Sequence, residues 1–343
     1  MIAKAQLQQH WHWVLAGCSV LLVATAITSL TFGAVTISFN DLWQALVLHN
    51  QPQTELIVTQ LRIPRALLAM SIGALLASCG ALTQGLFRNP LADPSLIGVT
   101  AGAAAGASAV IVLVNAEQWG LGGLSLVSLG AFAGGLLTVV LVYRLATGST
   151  GTSVATMLLA GIAVTFLAGA LANLLEFTAD NEMLRRISLW RMGGLDAADY
   201  PRALLAIAVA TAVLAVLPFH CHTLNALLLG ESEARHLGIN VQRVKLQLVV
   251  LVAAGVGTSV ALAGTISFIG LVVPHVVRLC VGPNHRSVLP LSACLGALLL
   301  LLADAVARTV IAPTEAPVGL ITALIGAPVF IALLKQRHHY GMQ

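Results

Sequence analysis

Residues Leu224–Leu237 read LNALLLGESEARHL and continue into Gly238, Ile239 and Asn240. This is the only long interior segment that is amphipathic, and long apolar runs flank it on both sides. Gly230 divides it into an apolar piece, Leu224–Leu229, and a charged piece, Glu231–Leu237, which predicts two short helices. Glu231 and Arg235 stand four apart with the acid first, the better order for an ion pair along a helix. Gly238 is a natural helix stop. A membrane chain seldom needs two short helices merely to turn round. Either the segment lies flat on the bilayer, or it is a docking surface through which a soluble partner pushes on the membrane helices.

Composition sets the class. The 343-residue chain is 58% apolar and only 9% charged, with a mean hydropathy of +0.93; soluble domains carry about 25% charge. Apolar runs of about 20 residues, long enough to cross a bilayer, recur along the whole chain. Residues 1–343 therefore read as a single all-α polytopic membrane domain, with the polar loop at about 221–244. The first run, Trp13–Ala34, is too long for a signal segment and lacks a small-residue cleavage site, so it reads as a retained span. Cys18, Cys79, Cys221, Cys280 and Cys294 are scattered, with neither metal-ligand spacing nor a disulfide framework. The net charge of +4 suits basic cytoplasmic ends, and no nucleic-acid patch is present.

Ten spans are expected, at about 13–34, 65–86, 96–115, 122–145, 153–175, 202–220, 245–265, 268–282, 288–308 and 317–335. An even number puts both termini on one side. With the N-terminus inside, all three lysines (Lys4, Lys245, Lys335) fall inside, as the positive-inside rule favours. The arginines left outside include Arg62, Arg65, Arg185, Arg186, Arg191 and Arg308. Asp304 and Arg308, four apart, are placed to pair along one helix face.

Small residues are abundant within the spans. Ala101–Val110 reads AGAAAGASAV, and Gly102 with Gly106 forms a G-x-x-x-G that lets helix backbones approach. Gly73, Gly80, Gly85 and Pro90 recur, with a one-residue slip, as Gly257, Gly264, Gly270 and Pro274. The two copies run in opposite directions, the pattern of an inverted repeat, though chance competes where glycine is so common. No G-x-x-x-x-G-K-[ST] phosphate loop, H-E-x-x-H or paired-cysteine motif occurs. Spans with no buried lysine and few acids away from their ends offer no evident proton relay. Energy for uphill transport then has to come from outside the chain.

Several blocks carry a resemblance: RIPR at 62–65, GLFRNPLADP at 85–94, LGESEARHLGI at 229–239, GTISFIGLVVPH at 264–275, LADAVAR at 302–308 and GLITALIGAP at 319–328. They run in order over nearly the whole chain and resemble the permease subunits of ABC importers for iron–siderophores, haem and vitamin B12. The resemblance implies the type II importer fold of the vitamin B12 permease, with ten spans. It also implies a homodimer, two cytoplasmic ATPase subunits, a periplasmic binding protein and a bacterial inner membrane.

The same resemblance assigns roles. Leu224, Leu227, Leu228, Leu229, Gly230, Glu231, Glu233, Ala234, Arg235, His236, Leu237 and Gly238 match the coupling helices that sit in a cleft of the ATPase. Arg62, Arg65 and Arg308 match outward arginines that meet acids of the binding protein, a task suited to the planar guanidinium fork. Their plainer reading is snorkelling at the interface. Thr147, Gly148, Ser149, Thr150, Gly151 and Thr152 match a cytoplasmic gating loop, although a small-residue loop is equally an ordinary turn. The fifth and tenth spans would line the path at the dimer axis. Leu184–Leu195 would lie near its outer mouth, which offers Met183, Arg185, Arg186, Arg191 and Met192.

The blocks at 85–94 and 311–315 look most like haem-uptake permeases, with a ferric siderophore and vitamin B12 as the other cargoes. No permanent cofactor or metal is expected; ATP belongs to the partner subunit and haem is the cargo. His10, His12, His220, His222, His338 and His339 fall near the predicted cytoplasmic face. Histidine can ligate haem iron, but solvated interfacial histidines account for them as well. His275 reads as a packing or hydrogen-bonding residue. A stand-alone secondary carrier would need coupling residues in the membrane, and a membrane enzyme a polar cluster at one depth; the sequence presents neither.

Overall fold

The computed structural model describes residues 10–114, 120–121, 124–149 and 151–339. Helices α1 (Trp11–Ser29), α2 (Phe39–Leu46), α3 (Pro52–Leu56), α4 (Ile63–Leu86), α5 (Val99–Ala109), α6 (Leu126–Ala146) and α7 (Val154–Thr178) make the first half. Then come α8 (Asn181–Met192), α9 (Tyr200–Leu229), α10 (Glu231–His236), α11 (Val241–Ala263), α12 (Ile269–Val281), α13 (His285–Ala307) and α14 (Val318–His339). Among the described residues there are also two tiny antiparallel hairpins: β1 (Gly120–Leu121) with β2 (Leu124–Ser125), and β3 (Thr147–Gly148) with β4 (Gly151–Thr152). Among the described residues seven helices are long and apolar enough to cross a membrane, and three shorter apolar ones, Val99–Val114, Ile269–Val281 and Val318–Leu333, supplement them. Together they fall on the ten expected runs. The fold is all-α and polytopic, as hydrocarbon requires of a chain that must satisfy its backbone polar groups within each span.

Polar side chains start the helices. Ser38, Ser125, Ser153, Asp180, Asp199 and Asn240 each accept a backbone N–H of the following first turn, meeting donors that a helix start leaves open. Helix α12 is 13 residues long, about 20 Å at the helical rise, shorter than the hydrocarbon core of about 30 Å.

Helix α4 is the hub. Almost every residue from Pro64 to Leu86 is buried, and α9, α11, α12 and α13 pack round it. Backbones meet directly here: a Cβ at Gly80 would lie 1.9 Å from the Gly270 carbonyl oxygen. A second group joins α5, α6 and α7. Within it the G-x-x-x-G acts as packing: a Cβ at Gly106 would lie 2.1 Å from the Gly130 oxygen, and one at Gly102 2.5 Å from that of Gly134. Helix α11 contacts both groups and ties them together. Helix α1 lies outside against α13 with little of its surface buried.

The segment at 224–237 differs from its expectation in one respect. Leu224–Leu229 is not a separate short helix but the last turns of α9, a 30-residue helix. Pro218 sits inside α9 without ending it, and no breaker follows until Gly230, whose φ of 127° and ψ of 157° lie where glycine alone is at ease.

Candidate functional site

At the turn from α9 to α10, Leu224 and Leu227 are buried in the core, whereas Leu228 is 40% and Leu229 70% exposed. Buried Ala234 seats α10 against the bundle, while Glu233, His236, Leu237 and Gly238 face outward. Arg235 and Glu231 pair at 3.5 Å, and Gly238, at φ +80°, closes the helix. The base is fixed by Asn225, which donates to Asn284 Oδ1 at 2.9 Å and accepts the His285 backbone N–H at 2.9 Å. The result is a firmly seated knob whose exposed side mixes leucine with charge.

The 147–152 loop lies beside it. Thr147 pairs with Thr152 and Gly148 with Gly151; Ser149 is exposed, and Thr150 lies outside the described residues. The hydroxyls of Thr147 and Thr152 meet at 2.9 Å. Gln242 Oε1 accepts the Thr152 N–H at 2.8 Å, and Lys245 Nζ donates to the Thr152 carbonyl at 2.6 Å. Lys245 Nζ also lies 2.7 Å from Glu231 Oε1. The expectation of spans without a buried lysine is therefore corrected: Lys245 lies in the second turn of α11 and is 1% exposed. Its partners, Glu231 of α10 and Thr152 of the hairpin 93 positions away, lie outside its own span, so span composition alone gave no sign of its burial.

The opposite end holds the three arginines. Arg65 Nε donates to Asp304 Oδ1 at 2.8 Å and its Nη1 to Glu315 Oε2 at 2.6 Å. Arg308 Nε lies 3.0 Å from Asp304 Oδ2, the pair expected from their spacing. Arg308 also donates to the carbonyls of Phe32 and Ser29 at 2.9 and 3.3 Å. Arg62 donates to those of Leu30 and Val35. All three are buried, which differs from free outward guanidiniums. Arg62 and Arg308 staple the chain after α1 onto the ends of α4 and α13, while Arg65 ties α4 to Asp304 and Glu315.

The segment expected at the outer mouth is α8, at that same end. Its start is capped by Asp180, which accepts the Met183 N–H at 2.8 Å. Arg186 pairs with Glu182 at 2.7 Å, and Arg191 with Glu176 of α7 at 2.9 Å. Arg185, Arg191 and Met192 are exposed, Met183 and Arg186 half-buried. Gly193 and Gly319 come together there, the Gly319 N–H bonding the Gly193 carbonyl at 3.2 Å. That bond joins the end of α8 to the start of α14.

Sequence reasoning missed one polar group at the 231–236 end. Arg278 of α12 donates to Gln84 Oε1 of α4 and to the Ala81 carbonyl, and lies 3.4 Å from His285 Nε2. Arg278 and Gln84 stand 194 positions apart, so no local pattern links them. His220 also differs from a solvated residue: it is buried in α9, while His222 is exposed. The side chains of His338 and His339 lie outside the described residues. His275 is buried in α12, in keeping with a packing role. Among the described residues no three of His, Cys, Asp or Glu gather as a metal-ligand group.

Comparison with known proteins gives consistent matches. Residues 21–336 match the FecCD transport family. The hemin transport system permease protein HmuU of Yersinia pestis is 43% identical over 321 residues, covering 93% of this chain and 94% of the relative. The vitamin B12 import system permease protein BtuC of Escherichia coli O17:K52:H18 (strain UMN026 / ExPEC) is 40% identical over 335 residues, covering 97% and 98%. Among solved structures, a metal-chelate type ABC transporter in an inward-facing conformation superposes with a TM-score of 0.83. It is 33% identical and covers 94% of this chain and 99% of its own.

Proposed function

The chain belongs to the FecCD transport family, and from that premise we propose that it is the membrane permease subunit of an ATP-driven importer that moves haem. The similarity to a hemin permease over nearly the full length of both chains supports the haem reading. Vitamin B12 is the second reading, supported by a cobalamin-importer relative over an equally complete span; a ferric siderophore is the third. Arg185, exposed on α8, suits a propionate of haem, since guanidinium pairs with carboxylate in charge-assisted bonds, whereas Arg191 is already paired with Glu176.

The observation that carries the transporter reading is the knob at Leu228–Gly238. It is rigidly based, exposed, and mixes apolar with charged side chains, as a protein contact requires and a simple turn does not. In this reading it docks a cytoplasmic ATPase subunit, and hairpin β3–β4 gates the inner mouth of the path. The end carrying Arg62, Arg65 and Arg308 receives a periplasmic binding protein, with the arginines holding the shape of that face from beneath. Two copies pair around the path. Large apolar side chains that α7 and α14 leave uncovered, among them Phe166, Phe177 (89% exposed), Leu324 and Ile325, are available to a second copy as they are to lipid. The permease sits in the bacterial inner membrane with both termini cytoplasmic, keeps no permanent cofactor, and relies on ATP held by its partner.

The test is purification of the tagged chain from its native membrane under mild detergent. An ATPase subunit in equal copy number is the expected companion. A chain that comes away alone and still transports would be a secondary carrier.

A further inference from the structure

Lys245 is one of three lysines in the chain and, among the described residues, the largest fully buried side chain. A buried ammonium is tolerated only when acceptors meet it. Two acceptors come from different parts of the chain: Glu231, the first residue of α10, at 2.7 Å, and the carbonyl of Thr152, the last residue of β4, at 2.6 Å. Gln242, nearly one turn earlier on α11, accepts the Thr152 N–H at 2.8 Å. One backbone unit of the hairpin is thus held at both its donor and its acceptor by α11. Gly151, at φ +106°, completes the seat, since a Cβ there would lie 2.3 Å from the Gln242 side chain.

We propose that Lys245 is a positioning residue that transmits movement of α10 to hairpin β3–β4, carrying the push of the ATPase to the inner gate. This rests on the reading of the knob as the ATPase contact. The physical basis is that the two ends of the link share one cation. Moving Glu231 away leaves Lys245 buried with Thr152 alone, which is costly, so the ammonium and the hairpin follow or let go together. Space for such movement exists alongside, in a cleft of about 340 Å³ lined by Arg88, Ser153, Glu231, Arg235 and Gln242.

The test is hydrogen–deuterium exchange on the full permease–ATPase complex, with and without a non-hydrolysable ATP analogue, paired with the ATP hydrolysed per cargo moved. In the parent, the analogue should change exchange at both 231–237 and 147–155. Lys245→Met should keep the change at 231–237 and lose it at 147–155, with ATP used per cargo rising about fivefold or more. If Lys245→Met does not assemble, Glu231→Ala cuts the link from the other side and should lose the same hairpin response. A hairpin that responds as in the parent in the assembled variant overturns the proposal. A parent whose 231–237 segment ignores the ATPase and nucleotide overturns the docking reading along with it.

Discussion

Arg65 and Asp304 lie 239 positions apart and meet at 2.8 Å, with the carboxylate 0% exposed. Asp304 also faces Arg308 at 3.0 Å, so one buried acid holds two guanidiniums. Breaking such a pair from one side leaves an uncompensated charge, at a cost of about 3–5 kcal/mol. Asp304→Ala should therefore sharply lower the unfolding temperature of the detergent-purified protein. Replacing Asp304 and both arginines with apolar residues together should recover part of the loss. An unchanged melting curve for Asp304→Ala would mean that the cluster contributes nothing to the fold.

Leu228 and Leu229 are exposed where Leu224 and Leu227 are buried, so the same substitution should have two outcomes. Aspartates at 228 and 229 should leave the permease folded but release the ATPase, because the charges would be buried unpaired in the partner's cleft. Aspartates at 224 and 227 should destroy the fold itself. Size-exclusion profiles with and without the ATPase separate these results. Undiminished association in the first variant would remove the knob from the contact.

The sequence carried the ten spans well, because a run of apolar residues about 20 long has few other uses in a chain of this composition. It carried the knob too, through Gly230 and the Glu231–Arg235 spacing. It did not carry the continuity of α9 from residue 220 into Leu224–Leu229, since the polar stretch from His220 to Thr223 reads as the end of an apolar span. Nor did it carry the setting of charged side chains. The burial of Lys245, and the internal partners of Arg62, Arg65 and Arg308, depend on residues brought together from distant segments. Arg278 and Gln84 meet for the same reason, and of these contacts only the Arg308–Asp304 pair, four apart, is legible from local spacing.

Gly80 should not tolerate a side chain. A Cβ there would sit 1.9 Å from the Gly270 oxygen, and the obstacle is backbone, not a movable side chain. Gly80→Ala has to push α4 and α12 apart, at an overpacking cost at or above about 1–3 kcal/mol. The yield of folded protein in detergent checks this. Gly17, whose Cβ would meet nothing within 4 Å, should accept alanine without loss.

Haem that is moved should not be held. Ligation on both faces of the iron would trap the cargo, so the purified permease should show no stable Soret band once haem is removed from the medium. His275 is buried in α12, and His275→Ala should shift thermal stability more than any haem spectrum. A tightly retained haem whose spectrum changes in that variant would place the path through α12.

The most direct measurement is uptake into proteoliposomes containing the permease and its ATPase, with binding protein and labelled cargo outside the vesicle. Haem, a ferric siderophore and cobalamin should be compared with and without ATP inside. The account predicts accumulation of haem that needs both ATP and the binding protein and is abolished by the Leu228 and Leu229 aspartates. Accumulation of cobalamin or the siderophore alone would overturn the cargo. Accumulation of haem that proceeds without ATP or the ATPase would contradict the account as a whole.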